Sequence, residues 1–488
     1  MRLVCSTEPP ASVEADCLIV GLFDQDSLLP PSLNGSNLPG IVERLRSTRE
    51  LSTAPGDTTR ILGGTGVAAD SVLLLGLGRA ELFDAGAAFT AARAVAKKLG
   101  NRPRKRIALA LPDGANLGDR GIASAIAEGL VVGTHGPDLR KAEKGRTPFE
   151  ECVLLVTETP TELPSSLERG QIVGEAVNLA RDLANTPPAE KPPRVLAQRA
   201  RDAVASLDVE CESWDLERIQ SERFGGLLAV SAGSAEPPAF VHLRYRNGGD
   251  QPVTALVGKG VTFDSGGLSL KPSDSMKDMK SDMTGAAVVL ATITAAARLH
   301  LPVNLDGYLV LSENMTGGRA MKLGDVLTIR NGKTVEVMNT DAEGRLILAD
   351  ALAYAVEQGP GRIVDLATLT GACVVALGTK IAGLLTTDEP LASELSAAAA
   401  ATGERLWRLP MDEDFDDGLK SPVADFKNVG GRWGGASIAA RFLSKFVDEV
   451  PWAHLDIAGP SWADGDTSIV DAGSTGCFVR TLVQWLEG

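Results

Sequence analysis

Residues 339–346 read Asn-Thr-Asp-Ala-Glu-Gly-Arg-Leu and run directly into the apolar stretch Leu346–Val356. Two carboxylates, Asp341 and Glu343, flank one small residue, and Arg345 follows at once. So much charge beside an apolar run needs neutralising, and a divalent metal is the economical partner. A capping box competes with that reading, because Thr340-x-x-Glu343 has the spacing in which threonine caps a helix and glutamate returns the bond. The box accounts for Thr340 and Glu343. It leaves Gly344 unexplained, since glycine early in a helix costs about 1 kcal/mol relative to alanine.

A second segment, residues 258–287, supplies partners for those carboxylates. The apolar run Val253–Val257 predicts a buried strand that leads into a glycine-rich loop carrying Lys259, Asp264 and Lys271. Gly258, Gly260, Gly266 and Gly267 permit the tight backbone paths such a loop needs. Beyond Pro272 the spacing of Met276, Met279, Met283 and Ala287 predicts a helical stretch. Asp282 borders its apolar face, whereas Asp278 and Asp274 turn toward solvent. The order Gly-x-x-x-x-Gly-Lys-Ser/Thr is absent, which argues against a phosphate loop. The methionine stripe reads as packing, and Lys277, Asp278 and Lys280 as a solvated face.

Taken together, the two segments resemble the leucyl aminopeptidase family of two-metal peptidases, also called cytosol aminopeptidases or peptidase family M17. Asn339–Leu346 agrees with the family signature at every position, and Lys259 through Asp282 agrees with its other metal-binding block. Leu183-Ala-Asn-Thr-Pro-Pro188, Glu313-Asn-Met315, Val364-Asp-Leu-Ala-Thr-Leu-Thr370 and Trp452-Ala-His-Leu-Asp-Ile-Ala-Gly459 extend the likeness over roughly residues 165–488. The resemblance implies that Asp264 and Glu343 bridge two divalent ions, that Lys259 and Asp282 complete one shell, and that Asp341 completes the other. It implies Lys271 and Arg345 as the catalytic pair, with Arg345 and backbone near Gly344 and Leu369 holding a bicarbonate that serves as general base. Met279, Thr368 and Gly371 match positions lining the pocket for the first side chain, which suits leucine or methionine; Met279 has a packing reading of equal weight. Zinc or manganese, with magnesium also admissible, is the implied metal, and a homohexamer the implied assembly.

The chemistry is coherent on physical grounds. Two metals about 3.5–4 Å apart can share a water, lower its pKa and polarise a scissile carbonyl. Carboxylates from Asp264, Asp282, Asp341 and Glu343 would balance two dications. Lysine ligates only as the neutral amine, so Lys259 would need its pKa pulled down by the ions. A protonated Lys271 can support the developing alkoxide, and the planar fork of Arg345 suits a small bidentate anion. A metal that binds the free α-amine of a substrate makes an exopeptidase.

Other chemistries find little support. The four histidines, His135, His242, His300 and His454, form no zinc motif, and His454 reads as a hydrogen-bonded core residue. No Gly-x-Ser-x-Gly elbow is present. A net charge of −15 disfavours nucleic acid and anionic membranes as partners. Arg102–Arg106 is the only short basic run and reads as a solvated loop. Six scattered cysteines, no leader and no apolar run long enough to span a bilayer predict a cytoplasmic protein. A DNA-binding regulator and a catalytically dead structural member remain as alternative classes; the acidic balance weighs against the first and the intact Lys271, Arg345 and five metal-ligand side chains against the second. A dipeptidase or Cys-Gly hydrolase specificity is a third option within the same chemistry.

At 488 residues the chain predicts two α/β domains. A variable N-terminal α/β domain is expected over 1–160, with strands at Cys17–Gly21, Val72–Gly76, Ile107–Leu111 and Val153–Val156. Leu75-Gly-Leu-Gly78 lacks the third glycine of a dinucleotide loop, since Glu81 stands there. Residues 161–189 read as a linker helix ended by the proline-rich break Asn185–Pro193. The catalytic domain, 190–488, should hold a central, largely parallel sheet flanked by helices, with strands at Ala239–Arg244, Val253–Val257, Val303–Leu311, Val335–Met338, Arg362–Ala367 and Ala453–Asp456. Two departures from the family pattern stand out: Thr475-Gly-Cys-Phe478 replaces its common Thr-Gly-Arg-Pro, near the side-chain pocket in relatives, and Gly133-Thr-His-Gly136 lacks an aromatic often found there.

Overall fold

The computed structural model describes residues 1–24 and 29–488, which gather into two compact units. The first comprises 1–178 with the short segments 401–403 and 465–472; the second comprises 179–400, 404–464 and 473–488.

In the first unit, β1 (Arg2–Ser6), β2 (Cys17–Phe23), β3 (Thr58–Ile61), β4 (Val72–Gly78), β5 (Arg106–Ala110) and β6 (Glu151–Leu155) form one sheet in the order β1-β6-β5-β2-β4-β3. Every pairing is parallel except β3 with β4. β2 and β4 are buried along their whole length, as continuous apolar strands covered on both faces must be. Helices α1 (Leu38–Ser47), α2 (Ala85–Leu99) and α3 (Arg120–Thr134) lie between β2 and β3, β4 and β5, and β5 and β6 along the chain, which leaves through α4 (Leu163–Asn185).

The second unit opens with α5 (Pro193–Val204), β7 (Glu210–Trp214), α6 (Leu216–Ser221), α7 (Gly225–Ser231), β8 (Ala239–Arg246) and β9 (Val253–Asp264). Next come α8 (Ser273–Met276), α9 (Thr284–Arg298), β10 (Asn304–Asn314), β11 (Val326–Thr328), β12 (Thr334–Glu336), α10 (Gly344–Glu357) and β13 (Arg362–Ala367). The chain continues through α11 (Gly371–Leu377), β14 (Ala382–Leu385), α12 (Glu389–Thr402), β15 (Leu406–Arg408), β16 (Phe426–Lys427), α13 (Gly435–Ser444) and β17 (Trp452–Asp456), and ends in α14 (Val479–Glu487). Eight strands form the sheet β15-β14-β17-β13-β9-β10-β8-β7. Its four central strands, β17, β13, β9 and β10, are mutually parallel, while β14 and β8 join antiparallel at either side. α9 packs against β9, β10 and β13, and α10 lies in the apolar core shared with α7 and α13. In parallel sheets of this kind, ligands bind beyond the carboxyl ends of the strands.

Three local expectations are corrected. The strand expected at Val335–Met338 spans only Thr334–Glu336, as β12, and pairs with β11 and β16 in a separate three-stranded sheet rather than in the central one. β9 runs unbroken through Asp264, so Lys259 and Asp264 stand on a strand and only Lys271 lies on the loop that follows. Gly258 and Gly260 serve packing rather than turning: a Cβ at Gly258 would stand 2.5 Å from Ala286 Cα, and one at Gly260 3.2 Å from Ala286 Cβ, both on α9. Gly266 and Gly267, at φ +84° and +64°, do make the turn. The helical stretch after Pro272 is also interrupted. α8 ends at Met276, a single 3₁₀ turn covers Met279–Ser281, and α9 begins only at Thr284. Ser281 and Thr284 hydroxyls donate to the carbonyls of Asp278 and Ser281, at 2.7 and 2.5 Å, and stabilise that tight path.

Candidate active site

The site is assembled from the ends of β9, β13 and β10, the 3₁₀ turn before α9, and the start of α10. Lys259 reaches Asp282 at 2.8 Å and Glu343 Oε1 at 2.8 Å, and donates to the Thr368 carbonyl at 3.1 Å. Lys271 reaches Asp264 Oδ2 at 2.9 Å and Asp341 Oδ1 at 2.6 Å. All seven charged residues named from the sequence are thus accounted for: six form one contiguous ionic cluster, and Arg345 stands beside Glu343 at the head of α10. Oxygen atoms of Asp264, Asp341 and Glu343 lie within 4.8 Å of one another.

Local geometry explains why each residue type is there. Glu343 is the N-cap residue of α10, yet its side chain makes no capping bond. Thr340 does not cap either. Its hydroxyl donates to Gly266 O at 2.7 Å and accepts from Ser269 N at 2.7 Å, stapling the octapeptide to the β9 loop. The capping-box reading therefore fails, and Glu343 is free to face Lys259. Gly344 now has its reason: a Cβ there would come within 2.6 Å of Lys259 Cε and 2.8 Å of its Nζ. The lysine reaches the carboxylates across the face of that glycine.

Burial sets the electrostatics. Asp282 and Glu343 are desolvated, which pushes both carboxyls upward, and the neighbouring Asp264 adds to this against the pull of Lys259. Asp341 is raised by burial too, though its bond to Lys271 opposes. Burial alone would depress Lys259 and Lys271, but the carboxylates around each outweigh it and hold both ammoniums well above the ordinary lysine value. Arg345 is lowered to about 10 by burial, against Glu343 and Asp456.

The donor set fits divalent metal. Two ammoniums meet four carboxylates, which leaves excess negative charge, and the buried Glu343 Oε2 has no hydrogen-bond partner. Carboxylate oxygens with one amine nitrogen suit a hard or borderline dication. An orphaned buried carboxylate oxygen is otherwise costly.

Several supporting residues lie in segments the sequence had marked, but with bracing roles it did not assign. Asn314, at the end of β10, donates to Asp264 Oδ1 at 2.8 Å and to Thr340 O at 3.1 Å. Thr368 donates to Asp282 at 2.7 Å. Asp456 accepts from Thr370 at 2.7 Å and from Leu369 N at 3.3 Å, fixing the turn after β13. Only the parallel order of the strands brings these residues together. Met279 and Thr368 are half-buried, and Gly371 is exposed with open space where a Cβ would project.

Residues 178–483 match the model of the cytosol aminopeptidase family catalytic domain, and residues 19–144 match that family's N-terminal domain. A probable cytosol aminopeptidase of Rhodopirellula baltica is 43% identical over 99% of this chain and 94% of its own length. One from Solibacter usitatus is 42% identical over 99% of this chain and 98% of its own. Among solved structures, a tomato leucine aminopeptidase point mutant superposes with a TM-score of 0.89 at 35% identity, covering 100% of this chain and 96% of the other. The bottromycin maturation enzyme BotP, in complex with Mn, superposes with a TM-score of 0.85 at 37% identity, covering 97% and 99%.

Proposed function

This chain belongs to the cytosol aminopeptidase family and is a hydrolase of that kind, an aminopeptidase; from that premise we propose that it removes leucine or another apolar N-terminal residue from short peptides in intracellular peptide turnover. Lys259, Asp264, Asp282, Asp341 and Glu343 would hold two divalent ions, zinc or manganese, with magnesium also admissible. When bound, the ions supply an activated water and polarise the scissile carbonyl. The observation that carries this reading is the convergence of Asp264, Asp341 and Glu343 within 4.8 Å, with Glu343 Oε2 left unpartnered.

This chain's residues supply the remaining roles. Lys271, held protonated between Asp264 and Asp341, stabilises negative charge that develops on the carbonyl oxygen. Arg345 is buried, and its Nε lacks a hydrogen-bond partner, so an unspent N–H is available to orient a small anion. A bicarbonate held there, with backbone at Gly344 and Leu369, is the proposed general base. Met279, Thr368 and Gly371 would receive the first side chain; the open space at Gly371 supports a pocket that tolerates bulk. Family resemblance alone supports a homohexamer and a cytoplasmic location. None of the helices of the described residues is long and apolar enough to cross a membrane.

Hydrolysis of a leucine anilide by the purified protein, before and after chelation and with manganese or zinc restored, tests the proposal. Activity should vanish with the chelator, return with metal, and be lost by at least about a hundredfold in Lys259→Ala and Asp341→Ala. Undiminished turnover in the chelated protein would refute the metal-dependent mechanism. Failure of the fully metallated protein to cleave either the anilide or a mixed dipeptide panel would refute the substrate class.

A further inference from the structure

We propose that Asn428 is a positioning residue that sets, through a single buried amide, the path of the segment bearing Asp341 and, through its carbonyl, the guanidinium of Arg345. The inference rests on the two-metal reading above. Asn428 directly follows β16 and has no exposed surface. Its backbone N–H donates to Glu336 O at 3.0 Å, which extends the pairing of β12 with β16 by one residue. From that anchored position the side chain turns into the octapeptide.

The contacts use every site the amide has. Oδ1 accepts from Met338 N at 2.8 Å and Asn339 N at 3.3 Å. Nδ2 donates to Asn339 O at 2.7 Å and Ala342 O at 3.3 Å. These four bonds bracket Asp341 on both sides along the chain. The backbone carbonyl of Asn428 then accepts from Arg345 Nη1 at 2.9 Å. A primary amide offers two donors and two acceptor lone pairs, so this one is saturated.

Such a template is needed because residues 337–343 lie in neither helix nor strand. Their buried peptide groups must find partners outside regular structure, or each costs the price of desolvation. Aspartate at 428 could accept from Met338 and Asn339 but would donate to neither Asn339 O nor Ala342 O. Alanine would do neither. Asn428 therefore acts on the reaction at one remove, by holding a metal ligand and the anion-binding arginine in one frame.

The test uses the full chain: manganese titration by calorimetry, steady-state kinetics on a leucine anilide, and thermal unfolding. Asn428→Ala and Asn428→Asp are compared with wild type. Asp425→Ala is the control, because Asp425 accepts from Thr334 N and Oγ1 at 2.8 Å each, three residues earlier, and touches no part of the octapeptide. Both Asn428 variants should bind manganese about tenfold or more weakly. At saturating manganese their kcat should remain depressed by a similar factor with KM within about twofold of wild type, since Arg345 is displaced too. Asp425→Ala should shift the melting temperature alone. If Asn428→Ala does not fold, the isosteric Asn428→Asp decides. Manganese affinity and kcat within about twofold of wild type in Asn428→Asp would overturn the inference while the two-metal reading stands. A wild-type protein that neither binds manganese nor turns over would instead overturn the reading beneath it.

Discussion

Gly344 shows how a single hydrogen in place of a methyl can decide a site. At the first turn of α10, alanine should be favoured by about 1 kcal/mol on helix propensity alone. Here its Cβ would stand 2.6 Å from Lys259 Cε, closer than any real contact allows. Gly344→Ala should therefore give a folded protein whose melting temperature falls little, because propensity offsets part of the strain. Its manganese affinity and kcat should each drop by about tenfold or more, since Lys259 is pushed off its line to Glu343. Calorimetric titration beside a melting curve separates the two effects; unchanged affinity would mean that the lysine stem gives way freely. The glycine was conspicuous in the sequence as an unexplained cost. Its cause was not visible there, because Lys259 lies 85 residues earlier in the chain and meets it only in the folded site.

Between elements, the pair His454 on β17 and Asp365 on β13 ties two neighbouring parallel strands beneath the site. His454 Nδ1 lies 2.6 Å from Asp365 Oδ1, and Asp365 Oδ2 accepts from Trp452 Nε1 at 2.7 Å. Burial alone would depress the imidazole, but Asp365, with Asp456 behind it, outweighs both burial and the opposing Arg345 and raises it above 6.5. A raised folded value means the native state holds the proton more tightly than the unfolded chain does. That stability is present in full below about pH 6.5 and is lost as pH climbs through the raised value. His454→Gln should therefore flatten the decline of melting temperature as pH rises above about 6.5. An identical pH profile in the variant would show that the proton is not shared in this way. The sequence reading of His454 as a hydrogen-bonded core residue agrees with this geometry. By contrast, the continuous helix expected after Pro272 is broken, because Asp282 is drawn to Lys259 and Thr368 and the hydroxyls of Ser281 and Thr284 compete for the backbone.

At the scale of the whole molecule, Asp264, Asp282, Glu343 and Lys259 are buried together in one unit beside the half-buried Asp341 and Lys271, a costly arrangement that a cation binding only the folded state would relieve. Manganese at a hundred times its dissociation constant should stabilise the protein by about 2.7 kcal/mol per site. Scanning calorimetry should accordingly show an upward shift in unfolding temperature that a chelator reverses and that Asp341→Ala reduces; a shift of equal size in that variant would place the metal elsewhere. Local sequence was enough for the α/β class, the central parallel strands and the family, and it singled out the seven charged residues that the fold brings together. Apolar runs, glycine and proline breaks and the two motifs are properties of consecutive residues, and each can be read without knowing what lies across the fold. Tertiary structure alone decided that β9 extends through Lys259 and Asp264, that Thr340 staples two loops instead of capping a helix, and that Asn314, Asp456 and Asn428 brace the site. Those outcomes depend on close approach between segments 50 to 90 residues apart in the chain, and the distances that govern them exist only once the strands have paired.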